Sequence, residues 1–315
     1  MKKTIALLLA LLFALAAFSG CAPKDDAPVK IGFAAPAATH GWVAGIAYYA
    51  EKYCRENNIE YNITVSADAE EMTSALTALA DWGADVIILW PQWTGMESAV
   101  ADIIKKGIKV ICFDIDVDTE GVYKVTGNNY DMGYQSAKYI CERAGEAATI
   151  AVLDVPSSGS VAELRKQGFY AYLDEINYDK SNIFEIAQEG FSRDCGYADM
   201  KKILDEHETV DAVFSLDDES SIGVVKAIEE AGRTDVKAVT GGGGMQEYFY
   251  MIMDDKYESL GLASALYSPS MIIDAIKTAI ALENGEECES LIVIPTTVVT
   301  SKNVGDYFDP YNKIY

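Results

Sequence analysis

Residues 85–114 read DVIILWPQWTGMESAVADIIKKGIKVICFD, and this stretch decides the fold. After Asp85, the run Val86-Ile87-Ile88-Leu89-Trp90 is continuously apolar and β-branched, as suits a strand buried on both faces of a parallel sheet. Val100, Ile103 and Ile104 then recur at helical spacing, and Gly107 ends that helix. Val110-Ile111-Cys112-Phe113 reads as the next buried strand. Strand, helix and strand in so short a span form one crossover unit, which is right-handed when it joins parallel strands.

The same alternation extends in both directions. Upstream, Val29–Ala35 reads as a strand, and residues 42–57 place Val43, Ile46, Ala47, Ala50 and Cys54 on one helical face. Tyr61, Ile63 and Val65 alternate as in a strand, and Met72, Leu76 and Leu79 mark a further helix. Downstream, strands are expected at 148–153, 182–187, 211–215, 236–240 and 259–264. Helices are expected at 130–144, 161–175, 196–206, 219–231 and 270–283. This is an α/β chain with parallel sheets. Some ten strands are too many for one tidy sheet, so two similar lobes are expected. Ligands of such sheets sit beyond the carboxyl ends of the strands, which places the site in the cleft where those ends face each other.

Ahead of the first strand the chain reads differently. Residues 1–20, MKKTIALLLALLFALAAFSG, carry two lysines, an apolar run and a small-residue end, the pattern of an export signal. The run falls short of the about 20 apolar residues of a comfortable membrane span. Phe18-Ser19-Gly20-Cys21 resembles a bacterial lipobox, with Phe18 where Leu is usual. It implies cleavage before Cys21 and lipid on its thiol, and residues 22–28 then read as a tether. The mature protein is expected outside the cytoplasm, lipid-anchored to the outer face of a Gram-positive membrane or within a periplasm.

Of the 315 residues 49 are acidic and 25 basic, a net charge of −24. Loss of residues 1–20 removes Lys2 and Lys3 and no acid, so the charge deepens to −26. That excess opposes nucleic acid as a partner, since phosphates demand a basic face. An apolar half of the chain is ample for packed cores. Only His40 and His207 are histidines, which excludes a poly-His metal site and leaves little scope for imidazole acid–base chemistry. No CxxC pair exists among the six cysteines, so zinc-ribbon and thioredoxin readings fail. Asp116-Val-Asp118-Thr-Glu120-Gly121 begins like a calcium loop, but Gly127 stands where the bidentate acid belongs. Gly241–Gly244 lacks the Gly-Lys-Ser/Thr of a phosphate loop, and the run implies a turn or a close backbone approach. No Gly-x-Ser-x-Gly elbow and no dinucleotide fingerprint appear, so an enzyme is not expected and no cofactor or metal is invoked.

Several blocks, in order, carry a family likeness: IGFAAPAATHGWVAG (31–45), DVIILWPQ (85–92), KVICFDID (109–116), GNNYDMGYQSAKYI (127–140), ELRKQGF (163–169), FSLDDESSIGVVKAI (214–228) and LENGEE (282–287). Together they resemble the periplasmic sugar-binding proteins of the ribose/galactose type, the extracytoplasmic receptors of ABC importers. The resemblance implies two Rossmann-like lobes joined by a three-strand hinge, the type 1 periplasmic-binding fold. Lobe crossings are then expected near Gly127-Asn128, Tyr267 and Ser290. The first lobe would hold 29–127 and 268–289, and the second 128–267 and 290–315.

The resemblance also implies site residues. Asp114 matches the acid that grips sugar hydroxyls after the fourth strand. Asn129 belongs to the pair opening the second lobe, Arg165 precedes the Gly-Phe aromatic, and Asp217 matches the polar residue before helix 219–231. Trp42, with His40 just before it, matches the stacking aromatics near the first helix. Trp93, Phe191 and Tyr267 are further candidates to cover the apolar C–H face of a sugar, with Trp90 read as structural. Carboxylates accept from paired hydroxyls and guanidinium donates in a fixed fork, while rings exclude water. The sequence departs from the ribose pattern. Ile115 replaces an Arg, the four glycines replace a loop Asp, and Tyr267 stands where a hinge Gln is usual. The class implied is therefore a small polyhydroxylated molecule, bound by a monomer that docks on an ABC permease. The alternatives are a receptor for chemotaxis or quorum signalling, or a binder of a nucleoside or polyol.

Overall fold

The computed structural model describes residues 28–38 and 41–315. The export segment, Cys21 and His40 lie outside the described residues. From the N-terminal side run β1 (Lys30–Pro36), α1 (Gly41–Glu56), β2 (Glu60–Ser66), α2 (Ala69–Trp82), β3 (Val86–Leu89), α3 (Glu97–Lys105), β4 (Lys109–Phe113) and β5 (Val122–Gly127). The chain continues through α4 (Asn129–Ala144), β6 (Ile150–Asp154), α5 (Ser160–Glu175), β7 (Ile183–Ala187), α6 (Arg193–Glu206), β8 (Ala212–Ser215), α7 (Asp218–Glu230), β9 (Ala238–Gly243) and α8 (Gln246–Met253). It closes with β10 (Leu262–Leu266), α9 (Ile272–Glu283), β11 (Leu291–Ile294) and β12 (Val298–Val299).

Two six-stranded sheets result. The first has the order β11-β5-β4-β3-β1-β2 and the second β12-β10-β9-β8-β6-β7. Pairing is parallel throughout except for β12, which runs antiparallel to β10. In the opening stretch of sequence, Ile87 pairs with Val110 and Ile88 with Ile111. Successive side chains point to opposite faces of a strand, so Ile88 and Ile111 join the core under α1 and α9, while Ile87 and Val110 join the core under α2 and α3. In the second sheet Val213 and Val239 face α6 and α7, and Phe214 and Ala238 face α4 and α5. Two apolar layers per sheet explain why these strands read as unbroken apolar runs.

The chain passes between lobes three times: after β5, after β10 and after β11. The third crossing corrects the expectation. Leu291–Ile294 pairs with Lys124–Gly127 of β5, so those residues belong to the first lobe and the crossing falls at Pro295–Thr297 rather than near Ser290. Strands β5, β11 and β12 and helix α8 were not anticipated from sequence. β9 also runs three residues past its expected end, into the glycines. The described cysteines 54, 112, 141, 195 and 288 are all free. Burial pushes the thiols of Cys54, Cys112 and Cys141 up to about 11, 12 and 11. No helix among the described residues is long and apolar enough to cross a membrane.

Candidate functional site

The carboxyl ends of both sheets converge on one cavity of about 200 Å³. Its walls include Trp42, Trp90, Gln92 and Asp114 from the first lobe, Arg165, Phe191, Asp217, Gly242 and Gly243 from the second, and Tyr267 at the second crossing. Six of the nine residues expected from sequence line it: Trp42, Asp114, Arg165, Phe191, Asp217 and Tyr267.

Tyr267 is the node of the network. Trp42 Nε1 donates to its backbone carbonyl at 2.6 Å. Its hydroxyl donates to Asp114 Oδ1 and accepts from Asn129 Nδ2 at 3.2 Å. Asn129 Oδ1 in turn accepts from Arg165 Nε at 2.9 Å, and Arg165 Nη1 donates to the Leu216 carbonyl at 2.7 Å. The guanidinium also lies 5.0 Å from the centre of the Tyr267 ring, within cation–π range. Two of the five N–H donors of Arg165 are so engaged, which fixes the fork. Asn129 therefore does not line the cavity; it sits one layer behind, orienting Arg165 against the hinge. Arg165 is only 5% exposed despite its place in mid-helix, where a solvated side chain is the ordinary outcome.

Asp114 follows β4 with φ +68°, in the left-handed region, where side chains other than Gly, Asn and Asp are seldom found. Burial raises its carboxyl pKa, opposed by the Tyr267 hydroxyl and the Arg165 charge. The buried indole N–H of Trp90 has no hydrogen-bond partner among the described residues. It lies near enough to favour the charged form of Asp114 without reaching hydrogen-bond geometry. Across the cavity Asp217 caps α7, accepting from Glu219 N at 3.0 Å and Ser220 N at 3.2 Å. Burial, then the charges of Asp218 and Glu219, push its carboxyl up to about 7. Asp218 lies behind it and holds the glycine run, its Oδ2 accepting from Gly244 N, Met245 N and Ser264 Oγ at 2.7, 2.8 and 2.8 Å. Burial raises that carboxyl to about 6.

The aromatic wall is continuous. Trp42 packs edge-on to Trp90 at 5.5 Å and parallel to Phe113 at 6.3 Å. Trp90, read as structural, lines the cavity, whereas Trp93 does not. Trp93 is half-buried against the α2–α3 core, and the turn after Pro91 presents Gln92 at the cavity instead. Ser157 and Ser158, in the loop after β6, were also missed, although they lie at a strand's carboxyl end as Asp114 does. Tyr315 also lines the cavity, and no motif marks it. Gly41 N donates to Glu219 Oε1 at 2.8 Å, a direct link from α1 to α7 beside the cavity.

Acceptors, one cation and a ring-lined wall between two hinged α/β lobes define a two-lobed small-molecule binding protein. The periplasmic binding protein domain matches residues 31–287, and the chain belongs to that family, as the sequence blocks implied. It is a family of extracytoplasmic binding proteins rather than enzymes. The chain is 24% identical to the ribose import binding protein of Bacillus subtilis, over 96% of this chain and 100% of that protein. It is 25% identical to a xylitol-binding protein of Mycolicibacterium smegmatis, over 81% of this chain and 72% of that one. A solved solute-binding protein of Actinobacillus succinogenes with bound D-allose has the same fold, with a TM-score of 0.78 at 20% identity, covering 89% of this chain and 100% of that chain.

Proposed function

We propose that the protein captures one small polyhydroxylated molecule, a monosaccharide or a polyol of similar size, between its lobes and delivers it to the permease of an ABC importer. The observation that carries this is the cavity itself, where Asp114, Arg165 and Asp217 converge within an aromatic wall. Its volume of about 200 Å³ lies below the about 300–1,000 Å³ of pockets for drug-sized ligands, which favours a single ring over a disaccharide. Relatives named for ribose and xylitol support the same class. Ile115, in place of an Arg of the ribose pattern, argues against ribose itself. Ligand bound by both lobes favours their closed arrangement, because only that arrangement offers both sets of contacts. Lipid on Cys21 would hold the mature chain at the membrane beside its permease.

A thermal-shift screen of monosaccharides, polyols and nucleosides on the chain beginning at Ala22 tests the reading. A ligand bound only by the folded protein raises its melting temperature by mass action. Asp114→Ala and Arg165→Ala should each abolish the shift given by the best ligand. A screen in which no sugar or polyol moves the melting temperature would sink the proposal.

A further inference from the structure

Tyr315 is 5% exposed and lines the cavity, and the segment that carries it touches both lobes. On the second lobe, Asp309 N donates to Gln246 Oε1 at 2.6 Å, and Phe308, Asp309 and Asn312 border a surface pocket together with Met245, Glu247 and Tyr250. On the first lobe, Asn312 Nδ2 donates to the Tyr49 hydroxyl of α1 at 2.7 Å. Asn312 also shapes the turn, since its Nδ2 donates to the Tyr315 carbonyl at 2.6 Å and its Oδ1 accepts from Ile314 N at 3.0 Å. Gly45 and Gly243 make room for the tyrosine, and Gly41 is in ordinary contact with it. In α1, a Cβ at Gly41 would lie 3.4 Å from the Tyr315 ring, and one at Gly45 would lie 3.3 Å from the Tyr315 Cβ. Across the cleft, a Cβ at Gly243 would meet the Tyr315 hydroxyl. Those glycines come from opposite lobes, so one side chain fills a gap between α1 and β9 while its ring faces the cavity.

We propose that Tyr315 contacts the ligand and that residues 309–315 latch the lobes together. The inference rests on the proposed reading of the cavity as a site between closing lobes. Opening the cleft carries Gly41, Gly45 and Tyr49 away from Gly243 and Gln246. The tail can follow only one side, so its contacts with the other must break. Those contacts stabilise the closed arrangement before any ligand is counted, and a ligand against the Tyr315 ring adds to them. The latch thus lowers the closing cost otherwise drawn from ligand contacts.

Four proteins, the wild type and the variants Tyr315→Phe, Tyr315→Ala and Asn312→Ala, are compared by two measurements. The first is calorimetric titration with the monosaccharide giving the largest thermal shift. The second is small-angle scattering without sugar. Tyr315→Ala should weaken binding by about tenfold or more and Tyr315→Phe by no more than about threefold, since the ring is kept. Asn312 lies outside the cavity, and Asn312→Ala should enlarge the sugar-free radius of gyration by releasing Tyr49. Tyr315→Ala titrating like the wild type overturns the ligand contact. Superposed sugar-free profiles of the wild type and Asn312→Ala overturn the latch. Asn312→Ala and Tyr315→Phe keep the test alive where Tyr315→Ala folds poorly. A wild type that binds no monosaccharide overturns the sugar reading, and the scattering comparison still decides the latch.

Discussion

Asp114 holds a backbone conformation that costs most side chains roughly 1–2 kcal/mol. Asn tolerates it nearly as well as Asp, and its amide oxygen still accepts from the Tyr267 hydroxyl. Asp114→Asn should therefore melt within a few degrees of the wild type yet weaken the best ligand by about tenfold or more, as the loss of one charge-assisted contact implies. Equal affinity in a titration would remove Asp114 from the site. Asp217 offers a pH test. Its carboxyl is raised to about 7 and that of Asp218 to about 6, against an ordinary 3.8. Below about pH 4 both are protonated in the folded and unfolded chains. Between about pH 4 and 7 the unfolded chain releases these protons while the folded chain keeps them, so stability falls as pH rises and the penalty is complete above pH 7. Asp217→Asn can still cap α7 and escapes its share. Melts at about pH 5 and pH 8 should show the variant gaining on the wild type at the higher pH, and a constant gap would refute the assignment. Asp114 was singled out mostly through the family likeness, since an acid after a buried strand can equally cap a helix or stay solvated. Arg165 was not legible from its helix, where it looked like Lys166 beside it, and came only through the family likeness. Tyr315 follows no strand and repeats no spacing, so nothing local distinguishes it.

At the scale of elements, α4 and α5 were evident from periodicity, but the closeness of their crossing was not. A Cβ at Gly133 would collide with the backbone carbonyl of Arg165, and one at Gly168 with that of Tyr130. The two helices therefore touch backbone to backbone, and this contact sets where α5 holds Arg165. Gly133→Ala should force them apart, costing at least the about 1–3 kcal/mol of ordinary overpacking and weakening ligand binding together with stability. Gly305→Ala, at a site with open space around it, should change neither. Denaturant melts and titration of both variants check the pair, and a stable, tight-binding Gly133→Ala protein would show that α5 is positioned by something else. β9 was expected to stop at residue 240, because glycine forms strands poorly. β10 alone carries the pairing on through Gly241–Gly243, and the missing side chains let Gly242 and Gly243 form cavity wall. β11 was missed because a four-residue edge strand with Leu291 and Val293 exposed gives no signal beyond an apolar patch near a crossing.

The whole molecule was the most legible scale, since two lobes follow from the number of strands alone. Where the chain crosses between them was less so, because a crossing is fixed by pairing rather than by composition. Beyond the crossings, contacts between the lobes include Tyr267, Tyr315 and the Gly41–Glu219 and Asn312–Tyr49 links. A saturating sugar should compact the protein in small-angle scattering, while a sugar that gives no thermal shift should leave the profile unchanged. Compaction by both, or by neither, would separate binding from closure. The three crossings also set an order of assembly. As the chain emerges from its N-terminal end, β1–β5 appear first, yet their sheet lacks an edge until β11 and one core lacks its cover until α9. The second lobe takes β6–β10 and their helices from one uninterrupted run, with only the two-residue β12 to come. The second lobe can thus assemble all but that short edge strand while the first, made earlier, still waits, partly uncovered, for residues 272–294.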